Sequence, residues 1–168
     1  MIVREAGPGD WARIWPFFRE IVAAGETFAY PREVTQAQGR EMWMVSAPAH
    51  TVVAVQGPEP ESGPGRVLGT ANMYANRGGP GSHVASASYM VDPAFAGRGI
   101  GRALVRYSLD WARSAGFRAM QFNAVAETNV HAVRLYESLG FTVVGTVPRA
   151  FLHPRAGYVG LHVMYQEF

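Results

Sequence analysis

The sequence predicts an α/β protein built on a mixed, mostly antiparallel sheet of about seven strands, with helices on both faces. Two observations support this fold class. Short apolar or alternating runs typical of strands occur between segments whose apolar residues recur at helical spacing. Their order along the chain is β-α-α-β-β-β-α-β-α-β-β, in which some strands follow one another directly and others are separated by helices. We expect one domain over residues 1–168.

The N-terminal half is predicted to contain a short strand, two helices and three longer strands. Ile2 to Arg4 begins as a strand, and Asp10 is expected to cap a helix that Pro16 kinks and Gly25 ends. The segments predicted after Gly25 are a helix from about Thr35 to Val45, strands at Thr51 to Gln56, Arg66 to Tyr74 and Val84 to Val91, an exposed turn at Gly57 to Gly65, and a loop at Asn76 to Gly81.

The C-terminal half begins with a helix of clear amphipathic spacing. Its apolar positions, at i, i+3, i+4, i+7 and i+11, are Ile100, Ala103, Leu104, Tyr107 and Trp111. The segments predicted after Gly116, which ends this helix, are a strand at Ala119 to Val125, a helix opened by Asn129 and closed by Gly140, a strand at Thr142 to Val147, a loop at Pro148 to Ala156, and a strand at Tyr158 to Gln166.

A glycine-rich turn joins the Val84 to Val91 strand to the amphipathic helix. Gly97, Gly99 and Gly101 fall in this turn and in the first helical turn. A glycine inside a helix costs roughly 1 kcal/mol relative to alanine, so three of them suggest that a ligand approaches the backbone closely. The N–H groups of a first helical turn suit a phosphate. The alternative is a turn that only changes the direction of the chain.

Composition excludes several kinds of chemistry. The chain has no cysteine and no lysine, which removes disulfides, thiolate nucleophiles, Cys-ligated zinc, Schiff-base catalysis and the P-loop motif. We expect no metal. No apolar run approaches the roughly 20 residues of a membrane span, and no signal-peptide pattern is present, so we expect a cytoplasmic protein without a membrane partner.

The net charge of +2 is too small to indicate by itself that the protein binds nucleic acid. Four arginines lie on one side of the amphipathic helix, either as a solvated face or as an attraction for an anionic cofactor: Arg98, Arg102, Arg106 and Arg113.

Two motifs together resemble the GNAT family of acetyl-CoA-dependent N-acetyltransferases. They are R-G-I-G-R-A-L at 98–104, after a strand, and N-x-x-A-x-x-L-Y-x-x-x-G-F at 129–141. The stretches at 25–31 and 157–165 are similar to the phosphinothricin and amino-acid acetyltransferase branch. One position departs from the family pattern: Ala96 stands where a Gln or Arg is usual, and Arg98 or Arg102 is a candidate to substitute for it.

The resemblance implies direct acetyl transfer from acetyl-CoA to an amine through a tetrahedral intermediate. It implies that Tyr136 protonates the leaving thiolate and that Asn129 contacts the pantetheine arm. As alternatives, Asn129 is simply a helix cap and Tyr136 a core aromatic. The full set expected to bind the cofactor, largely through the backbone, is Met90, Val91, Gly97, Arg98, Gly99, Ile100, Gly101, Arg102 and Asn129.

The general base is the least determined part of the site. An amine of pKa about 10 is only about 0.1% neutral at pH 7. Related enzymes often carry a glutamate on the central strand, but Ser86 to Tyr89 offers no carboxylate. Glu26 is the leading candidate, and a water chain without a dedicated base is an alternative. The remaining candidates are Glu127, His83 and His162.

The acceptor is expected to be a small amine, an amino acid or a phosphinothricin-like compound. Thr27, Phe28 and Tyr30 are expected to bind it, and Arg77 or Arg149 to pair with its carboxylate. Alternatively, the two aromatic residues only cover the edge of the core. Two other functions stay open: a protein or peptide N-acetyltransferase, and a CoA-binding regulatory or structural domain without turnover. A homodimer is a candidate assembly.

Overall fold

The computed structural model describes residues 1–57 and 65–168. Apart from Gly57 and Gly65, the expected exposed turn lies outside the described residues. The helices and strands are β1 (Ile2–Glu5), α1 (Trp11–Ala24), α2 (Gln36–Trp43), β2 (His50–Gln56), β3 (Arg66–Ala75), β4 (Val84–Val91), α3 (Ile100–Ser114), β5 (Ala119–Ala126), α4 (Val130–Glu137), β6 (Thr142–His153) and β7 (Gly157–Glu167).

The seven strands form one sheet in the order β1-β2-β3-β4-β5-β7-β6. Every neighbouring pair is antiparallel except β4 and β5, which run parallel because α3 connects them as a crossover. The predicted fold class, a mixed and mostly antiparallel sheet with helices on both faces, is confirmed.

Each face of the sheet has its own hydrophobic core. On one face α3 packs against the strands, with Ile100 and Leu104 fully buried and Tyr107 and Trp111 at the margin. On the other face α1 and α2 pack against alternate residues of the same strands, with Trp43 at the centre. The alternation of strand side chains between two faces, and the helical spacing of α1 and α3, therefore decide which residues meet.

Three helix ends differ from the expectation. Asp10 makes no capping hydrogen bond to α1, because its carboxylate is paired with Arg4 and Arg13 and accepts the Gly7 N–H. Helix α2 begins close to its predicted start, after a capping box formed by Thr35, but ends at Trp43 instead of Val45. Helix α4 ends at Glu137, so the backbone of Gly140 (φ +98°) lies beyond its cap.

The predicted loop from Pro148 to Ala156 is wrong over most of its length. Strand β6 continues to His153, paired with β7 on both sides of a register irregularity between Val147 and Phe151. Proline is tolerated because β6 is an edge strand, where one missing N–H does not interrupt an inner ladder. Burial of Phe151 and His153 keeps the strand in place beyond the irregularity.

The parallel pair β4 and β5 separates soon after it begins. The two strands pair only at Val84 with Ala119 and Ala85 with Met120. Beyond these pairs, β4 stays bonded to β3 as far as Val91, while β5 pairs with β7. The sheet therefore opens into a wedge at its centre, next to the glycine-rich turn.

Candidate active site

A cavity of about 460 Å³ occupies the wedge between β4 and β5. Its walls come from the α1–α2 connection, the second half of β4, the end of β5 and one side of α4. The lining residues are Ile21, Thr27, Phe28, Ala29, Tyr30, Tyr74, Ser86, Ala87, Ser88, Tyr89, Met90, Val91, Phe122, Asn123, Ala124, Val125, Ala126, Asn129, Ala132 and Tyr136. None of these side chains carries a formal charge at neutral pH.

Seven of the residues expected in the site line this cavity, and they come from three separate parts of the chain. The remaining expected residues lie outside the lining, namely Glu26 and the glycine turn from Gly97 to Arg102. The seven lining residues are Thr27, Phe28, Tyr30, Met90, Val91, Asn129 and Tyr136. Met90 and Val91 are the last two residues of β4, and a short 3₁₀ helix (Pro93–Phe95) connects this strand to the turn.

Tyr136 sits at the boundary between the α3-side core and the cavity. Its ring lies 4.6 Å from the ring centroid of Phe122 and 6.0 Å from that of Tyr89. Burial raises the pKa of Tyr136 well above its usual value, so the hydroxyl keeps its proton over the ordinary pH range. Helical spacing in α4 brings this side chain to the same wall as Asn129 and Ala132.

The glycine turn leaves backbone open where helix α3 begins. Gly97 (φ +75°) and Gly99 (φ +77°) adopt left-handed conformations, and a Cβ built on either would meet no atom within 4 Å. Gly101 differs, because its Cβ would lie 3.3 Å from Leu135 Cδ2. The first two glycines thus expose the turn, whereas the third allows α3 and α4 to approach each other.

Two arginines near this turn already have partners within the chain. Arg102 Nη2 donates to Ser138 Oγ at 3.0 Å, and the Arg98 guanidinium lies 5.0 Å from the centroid of the Phe95 ring. Asn129 Oδ1 accepts from the Ala132 N–H at 3.3 Å, so its capping role is confirmed. The Asn129 amide nitrogen is a donor in a residue that also lines the cavity.

The candidates for the general base lie outside the cavity lining. Glu26 Oε1 pairs with Arg155 Nη2 at 2.6 Å, which joins the α1–α2 connection to the β6–β7 turn. Glu127 Oε1 accepts from the Gly160 N–H, and His162 Nδ1 lies 2.7 Å from Thr146 Oγ1.

The remaining base candidate, His83, and the two arginines expected to pair with the acceptor's carboxylate also lie outside the cavity lining. His83 Nδ1 lies 3.1 Å from the Pro80 carbonyl oxygen. Arg77 donates to the carbonyl of Asn76, and the Arg149 guanidinium lies 5.1 Å from the centroid of the Tyr158 ring. Neither arginine is among the lining residues.

The profile of the acetyltransferase (GNAT) family matches residues 15–141. The chain belongs to the GNAT family. A GCN5-related N-acetyltransferase from Kribbella flavida has 57% identity and a TM-score of 0.93, covering 99% of this chain and 97% of that one. The N-acetyltransferase aca1 of Schizosaccharomyces pombe is 28% identical over 165 residues, which is 90% of this chain and 77% of the relative.

A phosphinothricin acetyltransferase from Sinorhizobium meliloti, solved in complex with AcCoA, shares the fold. Its TM-score is 0.85 at 22% identity, over 99% of this chain and 88% of that one. The likeness at this identity concerns the fold, and the assignment to the phosphinothricin branch stays a prediction. Family membership confirms the expected enzyme class: this GNAT protein is an N-acetyltransferase that uses acetyl-CoA.

The residues of this GNAT chain fit acetyl-CoA. The bare backbone at Gly97 and Gly99 leads into α3, whose first N–H groups have no partner within the helix and suit a pyrophosphate. The wedge beside Met90 and Val91 is wide enough for a chain-like group between the strands. Bound there, acetyl-CoA would supply the acetyl group as an activated thioester.

Several lining residues were not predicted from the sequence. Tyr74, Tyr89, Phe122 and Asn123 come from three strands, and each looks like an ordinary sheet residue in the sequence. The alternation of β4 could have indicated that Tyr89 faces α3, but only the separation of the strands opens the space in front of it.

Among residues 1–57 and 65–168, no group of three or more His, Asp or Glu side chains is arranged to hold a metal ion. Within the same residues, no helix is both long and apolar enough to cross a membrane.

Proposed function

We propose that this enzyme acetylates the amine of a small molecule, with an amino acid or a phosphinothricin-like compound as the acceptor. The observation that carries the proposal is the cavity in the wedge, where the predicted acid Tyr136 and the predicted acceptor residues Thr27, Phe28 and Tyr30 line one space. A volume of about 460 Å³ suits a small acceptor beside the end of a pantetheine arm.

The α1–α2 connection favours a small molecule over a peptide. Phe28 and Tyr30 are stacked with their ring centroids 5.5 Å apart, and Phe28 also contacts Trp43 edge to face. The ion pair between Glu26 and Arg155 ties the same connection to the β6–β7 turn. Such a wall limits the length of an acceptor that extends out of the site, whereas a peptide substrate needs an open groove.

The proposed chemistry uses the groups that already line the cavity. Backbone groups of Met90 and Val91 hold the pantetheine arm, and the N–H groups at the start of α3 hold the pyrophosphate. The acceptor nitrogen attacks the acetyl carbon from the side of the α1–α2 connection. Tyr136, which stays protonated because burial raises its pKa, donates its proton toward the sulfur as charge develops there.

In this proposal, Glu26 acts as the general base from the edge of the site. Its carboxylate is two residues from Phe28 but is held by Arg155. A proton would reach it through water, since Glu26 does not line the cavity.

Release of free CoA tests the proposal directly. The protein is mixed with acetyl-CoA and a panel of amino acids, alkylamines, polyamines and short peptides, and the thiol released is measured. Turnover with amino acids or their phosphinic analogues supports the assignment. Turnover only with peptide N-termini or polyamines would overturn the acceptor class, and absence of turnover with every amine would favour a CoA-binding domain without this activity.

Four wider predictions accompany this proposal. We propose that residues 1–168 form one GNAT domain, that the protein works in the cytoplasm, and that neither nucleic acid nor membrane is its partner. A homodimer is also proposed.

A further inference from the structure

The lining of the cavity offers no cation to an acidic acceptor. Within the described residues that form it, the titratable side chains are Tyr30, Tyr74, Tyr89 and Tyr136, which are neutral near pH 7. A carboxylate or phosphinate enclosed by neutral groups loses its hydration without gaining an opposite charge, and this is unfavourable. The acid group of an amino-acid acceptor is therefore expected to lie outside this lining, at the edge of the site and beside a cation.

Three arginines that could supply this cation have other surroundings. Arg77 donates to the backbone carbonyl of the preceding residue, and the Arg149 guanidinium lies over the ring of Tyr158. Arg32, in the α1–α2 connection, has its guanidinium over Gly25. None of the three is among the residues that line the cavity.

Arg155 is the arginine that an ion pair joins to the wall of the cavity within the described part of the chain. Its Nη2 lies 2.6 Å from Oε1 of Glu26, and the next residue, Thr27, lines the cavity. A guanidinium carries five N–H donors in a planar fork, so the contact with Glu26 leaves the Nε and Nη1 donors for a second oxyanion. The Arg155 side chain is 78% exposed, which makes these donors accessible.

The turn between β6 and β7 fixes the backbone that carries Arg155. The buried His153 side chain accepts two hydrogen bonds at Nδ1, from the Arg155 N–H at 3.2 Å and from the Ala156 N–H at 3.1 Å. Gly157 then enters β7 with φ +72° and pairs with His153 across the two strands. The position of the arginine is thus set before an acceptor binds, and only side-chain freedom is lost on binding.

We propose that Arg155 binds the acid group of the acceptor, a carboxylate or phosphinate, through the guanidinium donors that Glu26 leaves free. The enzyme thereby selects amines that carry an acid group. The adjacent opposite charges of Glu26 and Arg155 complement the ammonium and the acid group of a zwitterionic acceptor. This inference rests on the proposed function and names the residue that makes the site specific for an acidic amine.

The experiment compares an acceptor that wild type acetylates with its carboxamide. Wild type should prefer the free acid by at least about tenfold in kcat/KM. Arg155→Gln is expected to raise KM for the acid about ten- to hundredfold and to leave the amide within about twofold. The kcat for the acid should change little, because the ion pair is the same in the ground state and the transition state.

An acceptor with two acid groups shows which of them Arg155 binds. Glutamate is compared with glutamine, which lacks the side-chain acid, and with isoglutamine, which lacks the α-carboxylate. The amide that loses kcat/KM with wild type but shows no further loss with Arg155→Gln identifies the group.

Matched variants separate binding of the acid group from closure of the cavity wall. Glu26→Gln breaks the same ion pair but keeps the arginine, so the preference for the acid over the amide should persist whatever happens to kcat. Arg155→Lys keeps the positive charge without the fork and should retain part of the preference. Arg19→Gln removes an exposed charge from α1 and is the control, with both acceptors unchanged.

Three outcomes would overturn the inference while leaving the acetyltransferase assignment intact. Equal losses for acid and amide in Arg155→Gln would mean that this arginine only holds the α1–α2 connection. A wild type that accepts the amide as well as the acid would show that no cation selects the acid group. Loss of the preference in Arg32→Gln, Arg77→Gln or Arg149→Gln, with Arg155→Gln unaffected, would assign the group to another arginine. Failure of the proposed function would be visible separately, as absence of CoA release by wild type with every amine.

Discussion

At the scale of single residues, Tyr136 presents an aromatic ring that packs against other rings and one hydroxyl group at the cavity wall. Phe122 and Phe141 lie against it with centroids 4.6 Å and 6.0 Å away, and together they hold the ring at the cavity wall. Tyr136→Phe preserves this packing and removes one hydrogen-bond donor. We therefore expect stability and acetyl-CoA affinity to change little.

The catalytic effect of Tyr136→Phe should be large, because general acids contribute about 10²–10⁴-fold. Steady-state kinetics should show a fall in kcat of at least tenfold, with acetyl-CoA binding unchanged by calorimetry. A kcat within about twofold of wild type would mean that Tyr136 is a packing residue.

Phe28 and Glu26 should affect the acceptor in different ways. Phe28→Ala removes one wall of the cavity and is expected to raise KM for apolar amino acids about tenfold, with little change for acetyl-CoA.

Glu26→Gln keeps the shape of the side chain but removes its charge pair with Arg155. If Glu26 is the base, kcat falls at pH 7. If a water chain takes the proton without a dedicated base, kcat changes less than threefold.

At the scale of elements, the two ends of α3 provide a matched test of whether the glycine turn binds acetyl-CoA. Gly99 (φ +77°) and Gly116 (φ +84°) are both left-handed, and at both a Cβ would meet no atom within 4 Å. Gly99→Ala and Gly116→Ala should each cost about 1–2 kcal/mol of stability. Only Gly99→Ala places a methyl group over the turn, so calorimetry should show at least a tenfold loss of acetyl-CoA affinity for that variant alone. Equal affinities in the two variants would contradict pyrophosphate binding at this turn.

The junction of β1 and α1 should give the protein a pH-dependent component of stability. Burial of Asp10 would raise its pKa, but hydrogen bonds from Arg4 and the Gly7 N–H, with the positive charges of Arg4 and Arg13, outweigh it and lower the pKa. A lowered pKa in the folded state stabilises the protein above the unfolded value of about 3.9, and this contribution is lost as pH falls through the folded value.

Asp10→Asn should therefore lower the free energy of unfolding by about 1.5–3 kcal/mol at pH 7. Urea titrations of wild type and variant should give a difference that shrinks as pH falls below 4. A difference that stays the same at pH 7 and pH 2.5 would contradict the assigned pairing.

At the scale of the whole molecule, the exposed edge of the sheet is the feature that favours self-association. Strand β6 is an edge strand, and Val144, Val147 and Leu152 on it are each more than half exposed. Long apolar edges of this kind are usually covered. Light scattering should give about twice the 18.3 kDa chain mass, and Val144→Asp should reduce it to the monomer. Met42→Asp, at an exposed position of α2, is the control, and a monomeric wild type would contradict the dimer.

The sequence by itself determined the elements and the family. Periodicity located the seven strands and four α-helices found in the described part of the chain. Glycines at 25 and 116 marked two helix ends, because left-handed conformations there favour glycine. The two motifs at 98–104 and 129–141 resemble those of the GNAT family, and the family match over residues 15–141 confirmed that resemblance.

Tertiary structure decided what faces the reacting groups. Separation of β4 from β5, which opens the cavity, depends on pairing between distant strands and leaves no local pattern. The contact of Glu26 with Arg155 and the pairing of Asn72 with Ser88 likewise join residues far apart in sequence. Extension of β6 past Pro148 was missed for the same reason: an edge position, which only the assembled sheet defines, makes proline acceptable there.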